Sequence, residues 1–155
     1  MTDQVLHCER QIANLFSLTG GYEEASKLYR LIGNKELLGN LTKYSAHKSF
    51  FRSSLFFMSG VMKSGQPYNF EKVCDHIKQL TSADFRFEVS PSCDFLHNII
   101  YLMKDENCKF DEFVDHIYDY NSLYPLDKSC LEVIEDIIRL RFQEQIDQIE
   151  KESLA

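Results

Sequence analysis

Apolar residues recur at intervals of three and four along almost the whole chain, which is the spacing that places them on one face of an α-helix. The pattern predicts helices at about 4–18, 22–32, 35–44, 48–63, 70–80, 91–104, 110–120 and 127–152. In the first of these, the stripe expected to face the core consists of Val5, Cys8, Ile12, Leu15 and Phe16. Residues 81–91, in which Phe85, Phe87 and Val89 alternate, are predicted to be a loop that packs its aromatic side chains on the helices. The sequence therefore predicts an all-α fold.

Capping residues and helix breakers indicate where these helices begin. Asn69 is expected to cap the helix that starts at Phe70, and Ser90-Pro91 is expected to open the helix after the predicted loop. Ser129-Cys130-Leu131-Glu132 has the form of a capping box, which predicts that the long last helix begins there. In the short helix 35–44, the residues expected to point inward are Leu37, Leu38 and Leu41.

A four-residue pattern (aromatic, acidic, any residue, apolar) occurs three times, as Tyr22-Glu23-Glu24-Ala25, Phe70-Glu71-Lys72-Val73 and Phe110-Asp111-Glu112-Phe113. Each copy lies at the predicted start of a helix. The acidic position suits the positive end of the helix dipole, and the aromatic and apolar positions are expected to face inward. A recurring unit of this kind is typical of stacked helical repeats, because one helix pair cannot bury its apolar faces without a neighbour.

The stretch Ile12-Ala13-x2-Phe16-x3-Gly20-x-Tyr22-Glu23-Glu24-Ala25-x3-Tyr29 resembles the tetratricopeptide repeat (TPR). In that family two helices cross closely at small residues, here Ala13 and Ala25, and aromatic side chains fill the space between them. The resemblance implies a TPR-like α-solenoid of about three helix pairs plus a long C-terminal capping helix. We expect a single domain, 1–155, with units at approximately 3–45, 48–81 and 91–121 and the terminal helix at 127–152. The stretch Ala25-x2-Leu28-Tyr29-x3-Gly33-Asn34 is also similar to the irregular helical repeats of coat and intraflagellar-transport subunits.

Composition and charge argue against several classes of function. With 44% apolar residues and three prolines, the 155-residue chain can form one packed domain. Residues 1–66 carry eight Lys/Arg and five Asp/Glu, whereas residues 67–155 carry nine and nineteen, so the acidic second half would repel nucleic acid and anionic membranes. Five widely spaced cysteines without a C-x-x-C pair favour the reducing cytoplasm. No apolar stretch approaches the roughly 20 residues of a membrane-spanning helix.

Two Asp-His-Ile segments, beginning at Asp75 and Asp115, are the strongest candidates for catalysis or metal binding. On a helix, the Asp of each pair points away from the apolar stripe and the His lies on its flank, so the two side chains diverge. A repeated helix interface accounts for them better than a site does. The sequence contains no nucleophile elbow, phosphate loop or zinc-protease motif. We therefore expect no enzyme, no metal and no cofactor, and the alternative is an all-α enzyme or regulator that uses the Asp-His pairs.

The tetratricopeptide resemblance also implies a binding groove. In members of that family that grip the C-terminal carboxylate of a peptide, a basic residue and an asparagine four positions later line the concave face, and Arg10 and Asn14 hold the matching positions. Lys48 and Arg52 repeat a basic spacing of four on a later helix and would bring positive charge to the same groove. Charge-assisted hydrogen bonds to a carboxylate are among the stronger polar contacts of proteins.

The leading hypothesis is a non-enzymatic protein–protein interaction module, either an adaptor or a scaffold subunit, that presents a helical-repeat groove to a peptide or a partner helix. The expected partner is another protein or peptide with an acidic segment or a C-terminal carboxylate, within a larger complex. A structural subunit of the coat or intraflagellar-transport type stays open as a further alternative.

Overall fold

The computed structural model describes residues 3–154. In this part of the chain the regular structure consists of eight α-helices and one 3₁₀ turn, and no strand is present. The helices are α1 (Asp3–Leu18), α2 (Tyr22–Leu37), α3 (Ala46–Lys63), α4 (Phe70–Ala83), α5 (Phe85–Glu88), α6 (Pro91–Lys104), α7 (Phe110–Leu123) and α8 (Lys128–Leu154). The all-α fold predicted from the sequence is confirmed.

All three copies of the aromatic-acidic pattern start a helix. Tyr22 is the first residue of α2, Phe70 of α4 and Phe110 of α7. The apolar fourth position of each copy is fully buried, and the acidic second position is exposed. Each copy was predicted to lie at the start of a helix, and this is confirmed. The pattern marks the second helix in each of the pairs α1/α2, α3/α4 and α6/α7.

Two of the three predicted caps are confirmed. Asn69 caps α4 and Ser90 caps α6, and each side chain accepts a hydrogen bond from a backbone N–H of the first turn. The capping box at Ser129 is wrong, because α8 begins one residue earlier and Asp127 Oδ1 accepts the N–H of Cys130 at 2.8 Å. A carboxylate is as good a cap as a hydroxyl, and this one stands at the position that precedes the first helical residue.

Helix α3 is the centre of the fold. It packs against α2, α4, α6 and α8, and its side chains Phe50, Leu55 and Phe56 are fully buried. Helix α1 packs on α2, and the small residues Ala13 and Ala25 on these two helices are fully buried as well. Small residues allow two helix backbones to approach closely, which is the packing that the first repeat predicted.

Helix α8 runs back across the helix pairs instead of closing only the end of the stack. Near its start Ser129 Oγ lies 3.3 Å from Ser17 Oγ of α1, and farther along Gln145 Oε1 accepts the N–H of Phe110 at 2.9 Å. Between these points α8 packs on α3. At Phe142 the backbone leaves helical geometry (φ −121°, ψ 23°), and α8 is kinked there. The long terminal helix was predicted, but its path across the other helices was not.

Helix α1 turns a different face to the core from the one predicted. Leu6 and Ala13 are buried, whereas all five residues of the predicted inward stripe are exposed, Leu15 by 60%. Ion pairs explain the rotation of the helix. Glu9 and Arg10 both pair with residues of α2, so the face that carries these charges must lie against α2. The apolar stripe is consequently left on the outer side of α1.

Two connecting segments also differ from the prediction. Leu38 and Leu41 are exposed and do not point inward, because α2 ends before them and the chain then passes through the 3₁₀ turn at Thr42–Ser45. In the predicted loop, Phe87 is fully buried but Phe85 is 71% exposed. These residues belong to the single helical turn α5, and residues two apart lie on different faces of a helix.

Candidate partner-binding cleft

A cleft of about 470 Å³ opens where the start of α3 faces the junction between α7 and α8. Its walls come from the first turns of α3, α6 and α8 and from the end of α7 with the loop that follows. The lining residues are His47, Lys48, Phe51, Arg52, Ser90, Pro91, Ser92, Tyr120, Leu123, Tyr124, Pro125, Leu126, Asp127 and Cys130. The fold thus brings together Lys48 and Arg52, two of the four residues predicted to form a binding groove.

An ion pair between Arg52 and Asp127 lies in the wall of the cleft. Arg52 Nη2 and Nε donate to Asp127 Oδ2 at 2.6 and 3.2 Å, which joins α3 to the start of α8. Burial opposes the ionisation of Asp127, but hydrogen bonds from Arg52 and from the Cys130 N–H outweigh it and lower the pKa of the carboxyl. Burial, with a smaller contribution from Asp127, raises the pKa of the Cys130 thiol to about 12. Asp127 is therefore charged and Cys130 neutral at neutral pH.

Two helices begin in the wall of the cleft. Ser90 caps α6 by accepting the N–H of Cys93, and Asp127 caps α8 by accepting the N–H of Cys130. The first turn of a helix has further N–H groups without intrahelical partners, and these carry the positive end of the helix dipole. The two helix starts therefore add partial positive charge to the cleft.

Aromatic rings give the cleft an apolar wall. The Tyr120 ring stacks on Phe95 with 4.0 Å between ring centroids, and its centroid is 5.3 Å from that of Tyr124. Phe51 of α3 lies 6.3 Å from Phe95 on the same measure. Burial raises the pKa of the Tyr120 hydroxyl, so the ring carries no charge at neutral pH. Packed rings of this kind offer a rigid surface to apolar or aromatic side chains of a partner.

Lys48 supplies a positive charge that no carboxylate among the described residues neutralises. Its side chain is exposed in the cleft wall, and within residues 3–154 its ammonium group makes no ion pair. The neighbouring His47 has a buried Nδ1 atom without a hydrogen-bond partner in the described part of the chain. The Arg52 charge is balanced by Asp127, so the net positive charge of the cleft comes from Lys48.

The other two predicted groove residues, Arg10 and Asn14, lie outside this cleft. Arg10 Nη2 contacts Glu36 Oε2 at 3.0 Å, and Glu36, which is 1% exposed, also accepts the hydroxyl of Ser49. Asn14 is half-buried on α1, and its backbone carbonyl accepts the hydroxyl of Ser17 at 2.7 Å. At Arg10, therefore, α2 itself provides the carboxylate that a bound peptide was expected to provide.

The two Asp-His pairs pack in separate environments. His76 is buried, with Nε2 3.2 Å from Ser53 Oγ and its ring stacked on Phe57, whereas His116 stacks on Phe95. Burial lowers the pKa of His76 to about 4 and also lowers that of His116, so both rings are neutral at pH 7. In the described part of the chain no three His, Cys, Asp or Glu side chains are grouped so that they could hold a metal ion. Each histidine belongs to a helix interface.

Sequence reasoning missed the residues that complete the cleft, chiefly Tyr124 and Asp127. A local signal for each of them was present. Tyr124-Pro125 interrupts the helical pattern, and Asp127 stands just before the next helix, where an acidic residue is typical of a cap. Nothing local indicated that Asp127 would meet Arg52, which is 75 residues away along the chain.

One of the comparisons with known proteins gives a match. No curated protein and no solved structure matches the chain significantly. The model of one family, described as soluble NSF attachment protein (SNAP), matches residues 2–139. This family has a TPR-like helical fold, which confirms the fold implied by the tetratricopeptide resemblance. In the described part of the chain, no helix combines the length and the apolar character needed to cross a bilayer. Because the matched region contains seven helices, the first part of α8 and the whole cleft, the chain belongs to the soluble NSF attachment protein family.

Proposed function

We propose that this chain is a non-enzymatic adaptor that binds an acidic segment of another protein in the cleft between α3, α6 and α8. The SNAP family is a non-enzymatic helical adaptor family whose members bind other proteins, SNARE complexes among them. Family membership supports a binding function of this general kind. All five cysteines are free thiols, which fits the cytoplasmic location that we also propose.

The observation that carries the proposal is the position of Lys48 beside an apolar wall. A partner carboxylate that reaches Lys48 gains a charge-assisted hydrogen bond without first breaking an ion pair between Lys48 and another described residue. The starts of α6 and α8 favour the same negative charge through their dipoles. Tyr120 and Tyr124 offer a surface for an apolar or aromatic residue next to that carboxylate. The combination suits a short segment with both acidic and apolar side chains.

The net charge of −7 does not prevent this association. At physiological ionic strength charges are screened over about 8 Å, so a ligand in the cleft responds mainly to the groups around it. The Arg52–Asp127 pair contributes hydrogen-bonding geometry but little net charge there. We therefore expect Lys48 to determine how strongly an acidic segment binds.

A fluorescence-anisotropy titration tests this function. The probe is a labelled synthetic peptide that contains Asp, Glu and one Phe, and it is compared with a twin in which Asn and Gln replace the acids. We expect the acidic peptide to bind, and Lys48→Glu to weaken its binding by about tenfold or more, because attraction becomes repulsion at the same position. Lys104→Glu, an equal charge change at an exposed site of α6 outside the cleft, should leave the affinity within about twofold.

A peptide with an amidated C-terminus tests which carboxylate the cleft recognises. Amidation of the C-terminus should reduce affinity only if the terminal carboxylate is the group bound at Lys48. Equal binding of the acidic and the neutral peptide, or equal affinity of the Lys48→Glu variant and the unmodified chain, would remove the proposal. Far-UV circular dichroism of each variant establishes that the helices are intact.

A further inference from the structure

Two cations and a tyrosine form a cluster beside the cleft. Tyr44 lies in the 3₁₀ turn that precedes α3, and its side chain is 56% exposed. Lys43 Nζ is 5.2 Å from the centroid of the Tyr44 ring, and Arg86 Cζ of α5 is 4.7 Å from the same point. Both distances are within the range of a cation–π contact. These three residues are named the cationic rim.

No carboxylate of the described residues pairs with the cations of the rim. Within residues 3–154, neither the Lys43 ammonium group nor the Arg86 guanidinium makes an ion pair. The whole stretch 37–70, which contains Lys43, has no acidic residue. A cation–π contact orders a cation without removing its charge. The rim therefore holds two positive charges in a defined place, and both are available to a ligand.

Two acidic residues lie near Arg86 in the sequence, and each is directed elsewhere. Asp84 is 3% exposed, and its Oδ1 atom accepts the backbone N–H of Arg86 at 3.0 Å as the cap of α5. Glu88 is exposed, but positions two apart on a helical turn differ by about 200° in direction. Glu88 therefore points away from the Arg86 side chain.

The cationic rim continues the wall of the cleft. Tyr44 lies four residues before Lys48, and Arg86 lies four residues before Ser90. Lys48 and Ser90 both line the cleft. The contact between Tyr44 and Arg86 holds the segment that leads into α3 beside the segment that leads into α6. A ligand that leaves the cleft along the seam between these segments therefore reaches the rim next.

Exposed apolar side chains accompany the cations of the rim. Leu41, two residues before Lys43, is 88% exposed, and the neighbours of Arg86 on α5 and after it, Phe85 and Val89, are 71% and 61% exposed. The rim thus combines positive charge with apolar surface, as the cleft does. The same kind of segment, acidic and apolar, suits both.

The distance between the cleft and the rim sets the charge spacing of the ligand. Positions 44 and 48 are separated by about 6 Å along the helical path, because an α-helix rises about 1.5 Å per residue. An extended chain advances about 3.3 Å per residue and turns side chains two apart to the same side. A ligand with acidic residues two positions apart can therefore reach Lys48 with one carboxylate and the rim with the other.

We infer that the acidic segment bound in the cleft continues over the cationic rim as an extended chain, with a second carboxylate, two residues from the first, at Lys43 and Arg86. This assignment rests on the proposed function of the cleft and specifies the charge pattern of its ligand. A flat lipid surface cannot follow the seam into the cleft. A second copy of the chain carries its acidic residues mainly on helices, where carboxylates two residues apart diverge.

Two labelled peptides test this inference by fluorescence anisotropy. Both contain Phe next to a Glu, and the second residue after that Glu is Glu in one peptide and Gln in the other. We expect the two-Glu peptide to bind about fivefold more tightly. Lys43→Gln with Arg86→Gln should remove this advantage and leave the affinity for the one-Glu peptide within about twofold. Far-UV circular dichroism establishes that the helices of the variant are intact.

A matched control and a third peptide make the test specific. Lys104→Gln with Arg139→Gln removes the same two charges from exposed sites of α6 and α8, and should leave the affinity for both peptides unchanged. In the third peptide the two Glu residues are adjacent, so that they point to opposite sides of an extended chain. We expect it to bind like the one-Glu peptide. If it binds as tightly as the two-Glu peptide, the extended arrangement is overturned.

The outcomes distinguish this inference from the proposed function. If Lys48→Glu weakens both peptides but the rim variant does not reduce the preference for the two-Glu peptide, the cleft keeps its function and the inference is overturned. If no peptide binds, or Lys48→Glu has no effect, both are overturned.

Two further measurements test the competing occupants of the rim. Co-sedimentation with phosphatidylserine vesicles that the rim variant abolishes would assign the rim to a lipid surface. Self-association in sedimentation equilibrium that the same variant abolishes would assign the rim to a second copy of the chain. Either result would overturn the inference.

Discussion

Arg10 extends from the half-exposed side of α1 to the buried carboxylate of Glu36, and the two charged groups meet at 3.0 Å. Glu36 is 1% exposed and receives a second hydrogen bond from Ser49 of α3. The carboxylate thus links three helices, and the guanidinium offsets a charge that is removed from water. The contact makes Arg10 a structural residue of the first repeat.

We predict that Arg10→Met lowers the free energy of unfolding by about 2 to 3 kcal/mol, because it leaves the Glu36 charge buried with only a hydroxyl partner. The partial exposure of Arg10 keeps the loss below that of a fully buried pair. Urea unfolding followed by circular dichroism measures it. Lys27→Met, which breaks an exposed pair with Glu23, should cost less than about 0.5 kcal/mol.

The double variant Arg10→Met with Glu36→Leu removes both charged groups of this ion pair. Removing both charges should restore part of the stability lost in the single variant, because the apolar pair needs no counter-charge whereas the buried Ser49 hydroxyl loses its acceptor. A single variant as stable as the parent chain would show that Glu36 does not depend on Arg10.

His76 predicts a dependence of stability on pH. Burial, with a smaller contribution from Arg30, lowers its pKa to about 4, against 6.5 in the unfolded chain. The neutral form of the His76 ring is compatible with the folded state, and its contribution to stability is complete above pH 6.5. As the pH falls towards 4, the unfolded chain binds a proton at His76 that the folded chain does not, and this contribution is lost. The difference corresponds to roughly 3 kcal/mol. Urea unfolding at intervals between pH 7 and pH 4 should show the loss.

A variant without an ionisable side chain at position 76 isolates the effect of His76. His76→Phe should flatten the stability profile between pH 6.5 and 4, because Phe can stack on Phe57 as the imidazole does. His97→Phe, at an exposed site of α6, should leave the slope unchanged. An identical slope in the His76 variant would mean that other groups set the acid sensitivity.

Asp127 contributes in the same direction as His76, but over a lower range of pH. Its pKa in the folded chain is lowered below the reference value of 3.8, so its contribution is present above pH 3.8 and disappears as the pH falls through the lower folded value. Asp127→Asn keeps a helix cap but loses the charge partner of Arg52, and should cost about 1 kcal/mol at pH 7 because the pair is partly exposed. Chemical unfolding at pH 7 and at intervals below pH 3.8 should show this difference in full at pH 7 and a progressively smaller difference as the pH falls.

The helix starts could be predicted from the sequence because their causes are local. Tyr22, Phe70 and Phe110 each begin a helix with an acidic residue next to them, and the Asn69 cap lies within the same turn that it stabilises. Such local features can be predicted without knowing which helices contact one another.

The cleft and the orientation of α1 depend on contacts between distant segments. Arg52 meets Asp127 only because α8 folds back over α3, and no short pattern encodes that path. On α1 the apolar stripe was the stronger periodic signal, but Arg10 and Glu9 pair with α2 and bring a mixed face inward. The sequence therefore predicted the helices well and failed where ion pairs between helices decided the packing.

Gly33 and Gly60 provide a matched pair of substitutions that test the packing of α2 against α3. A Cβ atom on Gly33 would lie 2.7 Å from Phe50 Cδ1, whereas one on Gly60 would meet nothing within 4 Å. Alanine improves the helix propensity of either position by up to about 1 kcal/mol. We predict that Gly60→Ala raises the free energy of unfolding by roughly that amount. Gly33→Ala should lower it by about 1 to 3 kcal/mol, because the fully buried Phe50 ring has to move.

Thermal and urea unfolding of the two variants measure these opposite signs. If Gly33→Ala were as stabilising as Gly60→Ala, the α2–α3 contact would have to yield without cost, and the tight packing of Phe50 on Gly33 would be refuted. The double variant Gly33→Ala with Phe50→Leu, compared with Phe50→Leu alone, refines the test. A smaller side chain at position 50 leaves room for the new methyl group, so the penalty of Gly33→Ala measured in the Phe50→Leu background should shrink, by an interaction energy of about 0.5 kcal/mol or more.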